Sequence, residues 1–160
     1  MVYINGHMKV CLGGTFDVLH DGHKRLITTA YNLARPSGTV VIGITNIKLS
    51  SKQRPIASYQ KRTSAIKAFL ALLPKGPHVI LTSIKDKYGP SIEDAFDVIV
   101  VSPETEPVAK EINHLRRQRG KPPLQIRVVP YVLAKDGRPI SSTRIRNGEI
   151  DEHGTLLKKE

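Results

Sequence analysis

A chain of 160 residues, 39% of them hydrophobic, is long enough for one domain that buries about two-thirds of its unfolded surface, and no apolar run is long enough to span a membrane. The formal charge of +11, from 25 Lys and Arg against 14 Asp and Glu, suits nucleic acid, a small polyphosphate or a plain solvated basic surface. The lone Cys11 excludes an intrachain disulfide and no Cys/His spacing suits zinc, so a reducing, cytoplasmic setting is expected.

The expected domain covers residues 9–154. Residues 1–8 read as an extension or a vector scar (Gly6-His7-Met8), and 155–160 as a tail. Residues 9–12 form a short apolar run ending in Gly13-Gly14, which is consistent with a buried first strand whose glycines let the chain turn tightly. From Gly22 the spacing of Leu26, Ile27, Ala30, Leu33 and Ala34 is helical, until Pro36 and Gly38 stop it. TVVIGIT, 39–45, reads as a central strand buried on both faces, and a basic loop follows at 46–55. Ser58 is the expected N-cap of a second helix whose stripe is Ile66, Phe69, Leu70 and Leu73. A third strand is expected at 78–83, a turn-rich loop with KDKYGP at 84–90, and a fourth strand at 96–101. Residues 104–119 read as a helix stopped by Gly120, 125–133 as a fifth strand, and Ser141–Thr143 as the start of a short helix. This alternation predicts an α/β fold, a single-domain doubly wound parallel sheet of about five strands. In such a sheet, ligands sit beyond the carboxyl ends of the strands. The loops that carry most of the polar chemistry all fall on that edge.

Two stretches carry the chemistry. GGTFDVLHDGH, 13–23, places Gly13, Gly14, Thr15 and Phe16 after the first strand, with His20 and His23 at a helix start. There, unpaired N–H groups, two imidazoles able to carry partial positive charge, and the Thr15 hydroxyl suit a phosphate chain. A histidine pair alone is more often structural; preceded by GGTFD and placed after a strand, it favours ligand binding. ISSTRIR, 140–146, offers Ser141, Ser142 and Thr143, more hydroxyls than one cap needs, followed by the forked donors of Arg144 and Arg146. The P-loop and GxGxxG fingerprints and the GxSxG elbow are absent, which removes P-loop NTPases, dinucleotide-binding folds and serine hydrolases of that type. With three Phe and no Trp there are few stacking platforms, so a nucleic-acid-binding module is a remote alternative and no nucleic acid is expected as partner.

GGTFDVLHDGH together with ISSTRIR resembles the nucleotidyltransferase superfamily marked by HxGH and a Ser/Thr-rich second motif. Within it, IVVSPET, EIN…RRQRG, KDKYGP and the ISSTRIRNGEID tail look like archaeal phosphopantetheine adenylyltransferases, over about residues 9–154. The resemblance implies a Rossmann-like fold and the reaction of ATP with 4′-phosphopantetheine to give dephospho-coenzyme A and pyrophosphate. It implies that Gly13, Gly14, Thr15, Phe16, His20, His23, Ser141, Ser142, Thr143 and Arg146 meet the nucleotide, with Thr15, His20 and His23 at the reacting phosphates. Mg²⁺ is implied as the companion of ATP. The acceptor phosphate is implied to meet Thr15 and a lysine after the second strand, for which Lys48 and Lys52 both qualify. The paired arginines that bacterial relatives carry after the third strand are absent, and Lys85, Asp86 and Tyr88 stand in that region. FAD synthetases and glycerol-3-phosphate cytidylyltransferases share GTFD and HxGH and are the near alternatives. Self-association is left open.

Overall fold

The computed structural model describes residues 7–46 and 56–158. Five parallel strands form one sheet: β1 (Lys9–Gly14), β2 (Thr39–Thr45), β3 (His78–Ile84), β4 (Val98–Val101) and β5 (Gln125–Val128), in the order β3-β2-β1-β4-β5. The helices are α1 (Asp21–Ala34), α2 (Tyr59–Leu70), α3 (Glu106–Gln118) and the short α4 (Ser142–Arg146). The expected doubly wound sheet is therefore the observed one. No helix among the described residues is long and apolar enough to cross a membrane.

Alternation along the strands sorts side chains onto two faces. Val10, Leu12, Val40, Ile42, Ile44, Val98 and Val100 pack with Ile27, Ala30 and Ala34 of α1 and Ile66 of α2. Cys11, Val41, Ile99 and Val101 pack on the opposite face with Ala109 and Ile112 of α3. Strands lined by Val and Ile on both faces need helices on both, which is why the sheet is parallel and central. The order of strands reverses beside β1, between α1 and α3, and a crevice opens there at the carboxyl ends.

Three sequence expectations need correction. β5 ends at Val128 rather than Leu133: Val129 still donates to the carbonyl of Val101, but Pro130 has no N–H to continue the ladder. Met8, grouped with the extension, is a core residue whose carbonyl accepts the N–H of Thr39. The tail also folds back: Leu156 bridges Ile150, and Leu157 donates to the carbonyl of Glu149.

Candidate active site at the carboxyl edge of the sheet

The glycines of the first motif do not make the turn. Gly13 and Gly14 remain in β1, and Gly13 sits in register with Gly43 of β2. Gly13 shares the α3 side of the sheet with Cys11, and Gly43 shares it with Val41. Two missing side chains leave room, and a cavity of about 180 Å³ opens there, roofed by Ile84, Tyr88 and Pro90 and walled by Val108 of α3. Gly14 leaves space for the Phe16 ring, whose nearest carbon lies 3.3 Å from where a Cβ would be. The turn itself falls on Phe16, at φ 50, a left-handed conformation that costs an L-residue about 1–2 kcal/mol. The strain drives the Phe16 ring into the core, 3% exposed, with its centroid 5.2 Å from that of His23. Phe16 therefore supports the histidine from behind; its side chain has no open face for a nucleotide.

His20 is the N-cap of α1. Its Nδ1 accepts the N–H groups of Gly22 (3.1 Å) and His23 (3.4 Å), while Nδ1 of His23 accepts the N–H of His20 (3.4 Å). This is a capping box built from imidazoles instead of Ser and Glu. It explains the glycine of HxGH: the His20 ring folds over position 22, where a Cβ would lie 2.9 Å from Cε1. With Nδ1 of His20 accepting, the proton of its neutral ring belongs on Nε2, where it can be donated to a ligand.

The two rings stack, centroids 3.8 Å apart. Burial lowers the His20 pKa from 6.5 to about 3, helped by the adjacent His23 and opposed by Asp21. Burial likewise lowers His23 to about 4, opposed by the Val18 carbonyl and Asp17. The expectation of partial positive charge near neutral pH is therefore corrected: in the free protein both are neutral donors. A consequence for stability follows from the sign of these shifts. Below about pH 6.5 the unfolded chain takes up protons that the folded chain refuses, so stability falls as pH drops from there toward 4. Urea midpoints measured from pH 7 to 4 should show this slope, and His20→Asn, which keeps a capping oxygen, should flatten it.

The second motif meets the first through an ion pair between an exposed arginine and a buried carboxylate. Arg146 on α4 donates from Nε and NH2 to the two carboxylate oxygens of Asp17, both at 2.6 Å, and Asp17 also accepts the N–H of Ala57 at 3.0 Å. The pair holds the arginine's pKa above its ordinary value. Its fork is committed to Asp17, so Arg146 joins the two motifs structurally. Arg144 is corrected more sharply. It is buried against Asp136 and the carbonyls of Arg138 and Pro139, and it braces the turn before α4. Ser141 caps α4 by accepting the N–H of Arg144, and Ser142 and Thr143 form the first turn of that helix. A further strap comes from the tail, where Glu152 O accepts the N–H of Asp21 and His153 contacts the Asp21 carboxylate at 3.0 Å.

Sequence reasoning missed Arg62. It is 7% exposed and donates from NH1 to the carbonyls of Thr15 (2.9 Å) and Thr45 (2.7 Å), and from Nε to that of Ala57 (2.9 Å). A signal existed: Arg62 lies four residues before Ile66, on the apolar stripe of α2, where a cation must find buried acceptors. Thr15, Thr45, Asn46, Ser58 and Arg62 line a second, polar cavity. Thr15 and Thr45 line both cavities. Lys48 and Lys52 lie outside the described residues.

This geometry, a neutral histidine pair on a helix start beside a Thr at the end of β1, agrees with the match of residues 11–148 to the cytidylyltransferase-like family model. The chain belongs to the cytidylyltransferase-like family. Its relatives include the phosphopantetheine adenylyltransferase of Methanosarcina mazei, 48% identical over 94% of this chain and 98% of that protein. The one from Archaeoglobus fulgidus is 38% identical over 94% of this chain and all of that protein. A bifunctional phosphopantetheine adenylyltransferase/NTP phosphatase of Thermoplasma acidophilum is 42% identical, with this chain spanning 45% of its length. Among solved structures, an Archaeoglobus fulgidus protein described as of unknown function superposes with a TM-score of 0.65 at 33% identity, covering 76% of this chain and 89% of that one. As a member of this family the chain is an enzyme, a nucleotidyltransferase, and the archaeal adenylyltransferases are the branch it resembles over nearly its whole length.

Proposed function

We propose that this enzyme transfers the adenylyl group of ATP to 4′-phosphopantetheine, releasing pyrophosphate and forming dephospho-coenzyme A. The observation that carries the reading is the pair of cavities at Thr15. An apolar cavity and a second cavity that holds the buried Arg62 are both lined by Thr15 and Thr45, whose hydroxyls hydrogen-bond each other. An acceptor that fits has an anionic head and a long, largely apolar arm. Cys11, on the wall of the apolar cavity, has a thiol pushed up to about 12 by burial and stays neutral, so that wall presents no charge to the arm. The names of the archaeal relatives support the same acceptor.

In this reading an oxygen of the acceptor phosphate attacks the α-phosphorus of ATP in line, the bond to the bridging oxygen breaks, and pyrophosphate departs. The attacking oxygen is already ionised, so no general base is needed and no protein group becomes covalently bound. Thr15 meets the acceptor phosphate, and the Nε2–H groups of His20 and His23 donate to phosphoryl oxygens as charge shifts toward the leaving group. Ser141, Ser142 and Thr143 hold the far phosphates. Catalysis is positioning and preorganised donors. Among the described residues, no three His, Cys, Asp or Glu side chains come together as a metal site. Mg²⁺ is accordingly proposed as the counter-ion that ATP brings, and no step is derived from a protein-held metal.

A matrix of ATP and CTP against 4′-phosphopantetheine, FMN and glycerol 3-phosphate, followed by pyrophosphate release, tests the reading. ATP with 4′-phosphopantetheine should exceed every other pair by at least about tenfold in kcat/KM, since glycerol phosphate leaves the apolar cavity empty and the broad FMN ring has a different shape from a flexible arm. Preferential turnover of CTP with glycerol phosphate, or of ATP with FMN, would replace it.

A further inference from the structure

Thr45 closes β2 beside Ile84 of β3, and its Oγ1 donates to Oγ1 of Thr15 at 3.3 Å. Thr45 is 4% exposed, so its hydroxyl has given up water for this partner. A hydroxyl has one proton and two acceptor sites. The proton of Thr45 is spent on Thr15, which occupies one acceptor site of the Thr15 oxygen and turns its own proton elsewhere. Both threonines line the two cavities, so a ligand there can reach the Thr15 side chain. The backbones cannot relax out of this arrangement easily, because NH1 of Arg62 grips the carbonyls of both residues. Without Thr45, the Thr15 hydroxyl could rotate to donate to any nearby oxygen. With Thr45 donating, the orientation that offers the Thr15 proton to an anion is already selected.

We propose that Thr45 is a positioning residue for the acceptor phosphate: its hydroxyl, by donating to Thr15, directs the Thr15 proton onto the incoming phosphoryl oxygen. The inference rests on the phosphoryl-acceptor reading above, since only an anion at Thr15 profits from an oriented donor there.

Thr45→Val keeps the β-branched shape and removes the donor, whereas Thr45→Ser keeps the donor and removes a methyl. Steady-state kinetics with ATP and 4′-phosphopantetheine should show kcat/KM for the acceptor falling about three- to tenfold in the Val enzyme, the worth of one neutral hydrogen bond. KM for ATP should stay unchanged, thermal midpoints of both variants should match wild type, and the Ser enzyme should recover most of the loss. In a Thr15→Ala background, adding Thr45→Val should cost nothing more, because the residue acts through Thr15. A Val enzyme as efficient as wild type, a Ser enzyme as impaired as Val, or effects of Thr15→Ala and Thr45→Val that multiply would each overturn the inference. If wild type ignores 4′-phosphopantetheine but adenylylates another phosphate acceptor, the acceptor assignment falls by itself, and the same variants measured with that acceptor decide the role of Thr45.

Discussion

A His23→Ala enzyme is expected to turn over about 10²–10³ times more slowly than wild type, the loss seen when one preorganised donor is removed from a developing anion. The structure makes the experiment sharper than a simple deletion, because His23 has two tasks. Its Nδ1 accepts the N–H of His20 in the capping box, and its ring stacks on His20 and packs against Phe16. Alanine removes everything at once and should also cost about 1 kcal/mol of stability through the cap. Asparagine places an acceptor near the position of Nδ1 and nothing where Nε2 was. His23→Asn should therefore recover the cap's share of the lost urea midpoint while leaving single-turnover pyrophosphate release as slow as in the alanine enzyme. An asparagine enzyme with near-normal turnover would show that His23 serves only the helix cap, and the proposed phosphate contact would have to be dropped.

Arg146→Ala is expected to destabilise the fold as well as the site. Removing one partner of a buried pair leaves the other charge uncompensated, at a cost of about 3–5 kcal/mol when both are fully buried. The Asp17 side chain is 3% exposed but that of Arg146 is 30% exposed, so water can partly replace the guanidinium and about 2–3 kcal/mol is the better expectation. For a chain of this size that lowers the thermal midpoint by about 5–10 °C. Arg146→Lys should recover little, because an ammonium cannot make the paired Nε and NH2 contacts to both carboxylate oxygens. Differential scanning calorimetry of both variants checks this. Midpoints at the wild-type value would mean that the contact is a solvated pair of no energetic weight.

Most of the fold was legible because its elements are punctuated locally. The β-branched run 39–45 became β2 with the same boundaries, and Ser58 caps α2 as its position suggested. Strand alternation plus intervening helices was enough for the parallel sheet. The failures come from partnerships that local spacing does not reveal, some distant in the chain and some close. A window around Gly13 cannot reveal that Gly43 lies beside it, so the glycines looked like a turn when they were clearing a cavity. Arg144 pairs with Asp136, only eight residues earlier, but nothing in the local spacing distinguishes such a brace from a phosphate ligand. The charge of +11 decided nothing alone, and part of it is internal: Arg62, Arg116 and Arg144 are buried and bonded to backbone carbonyls. Part of the positive charge that suggested an anionic partner thus holds the chain together. That the two histidines sit together at the start of α1 was legible from their spacing. Their neutrality was not, because desolvation depends on what the rest of the chain packs around them.

The contact between Asp17 and Arg146 spans 129 residues of sequence. A growing chain makes β1 and the HxGH turn among its first residues, yet the contact of Asp17 with Arg146 must wait for α4, near the very end. Sheet and helices can assemble around an unfinished pocket, but the pocket closes only as synthesis is nearly complete. Such late closure places the catalytic geometry downstream of every folding event, so a chain cut short before α4 would carry the histidines and still lack the half that steadies them.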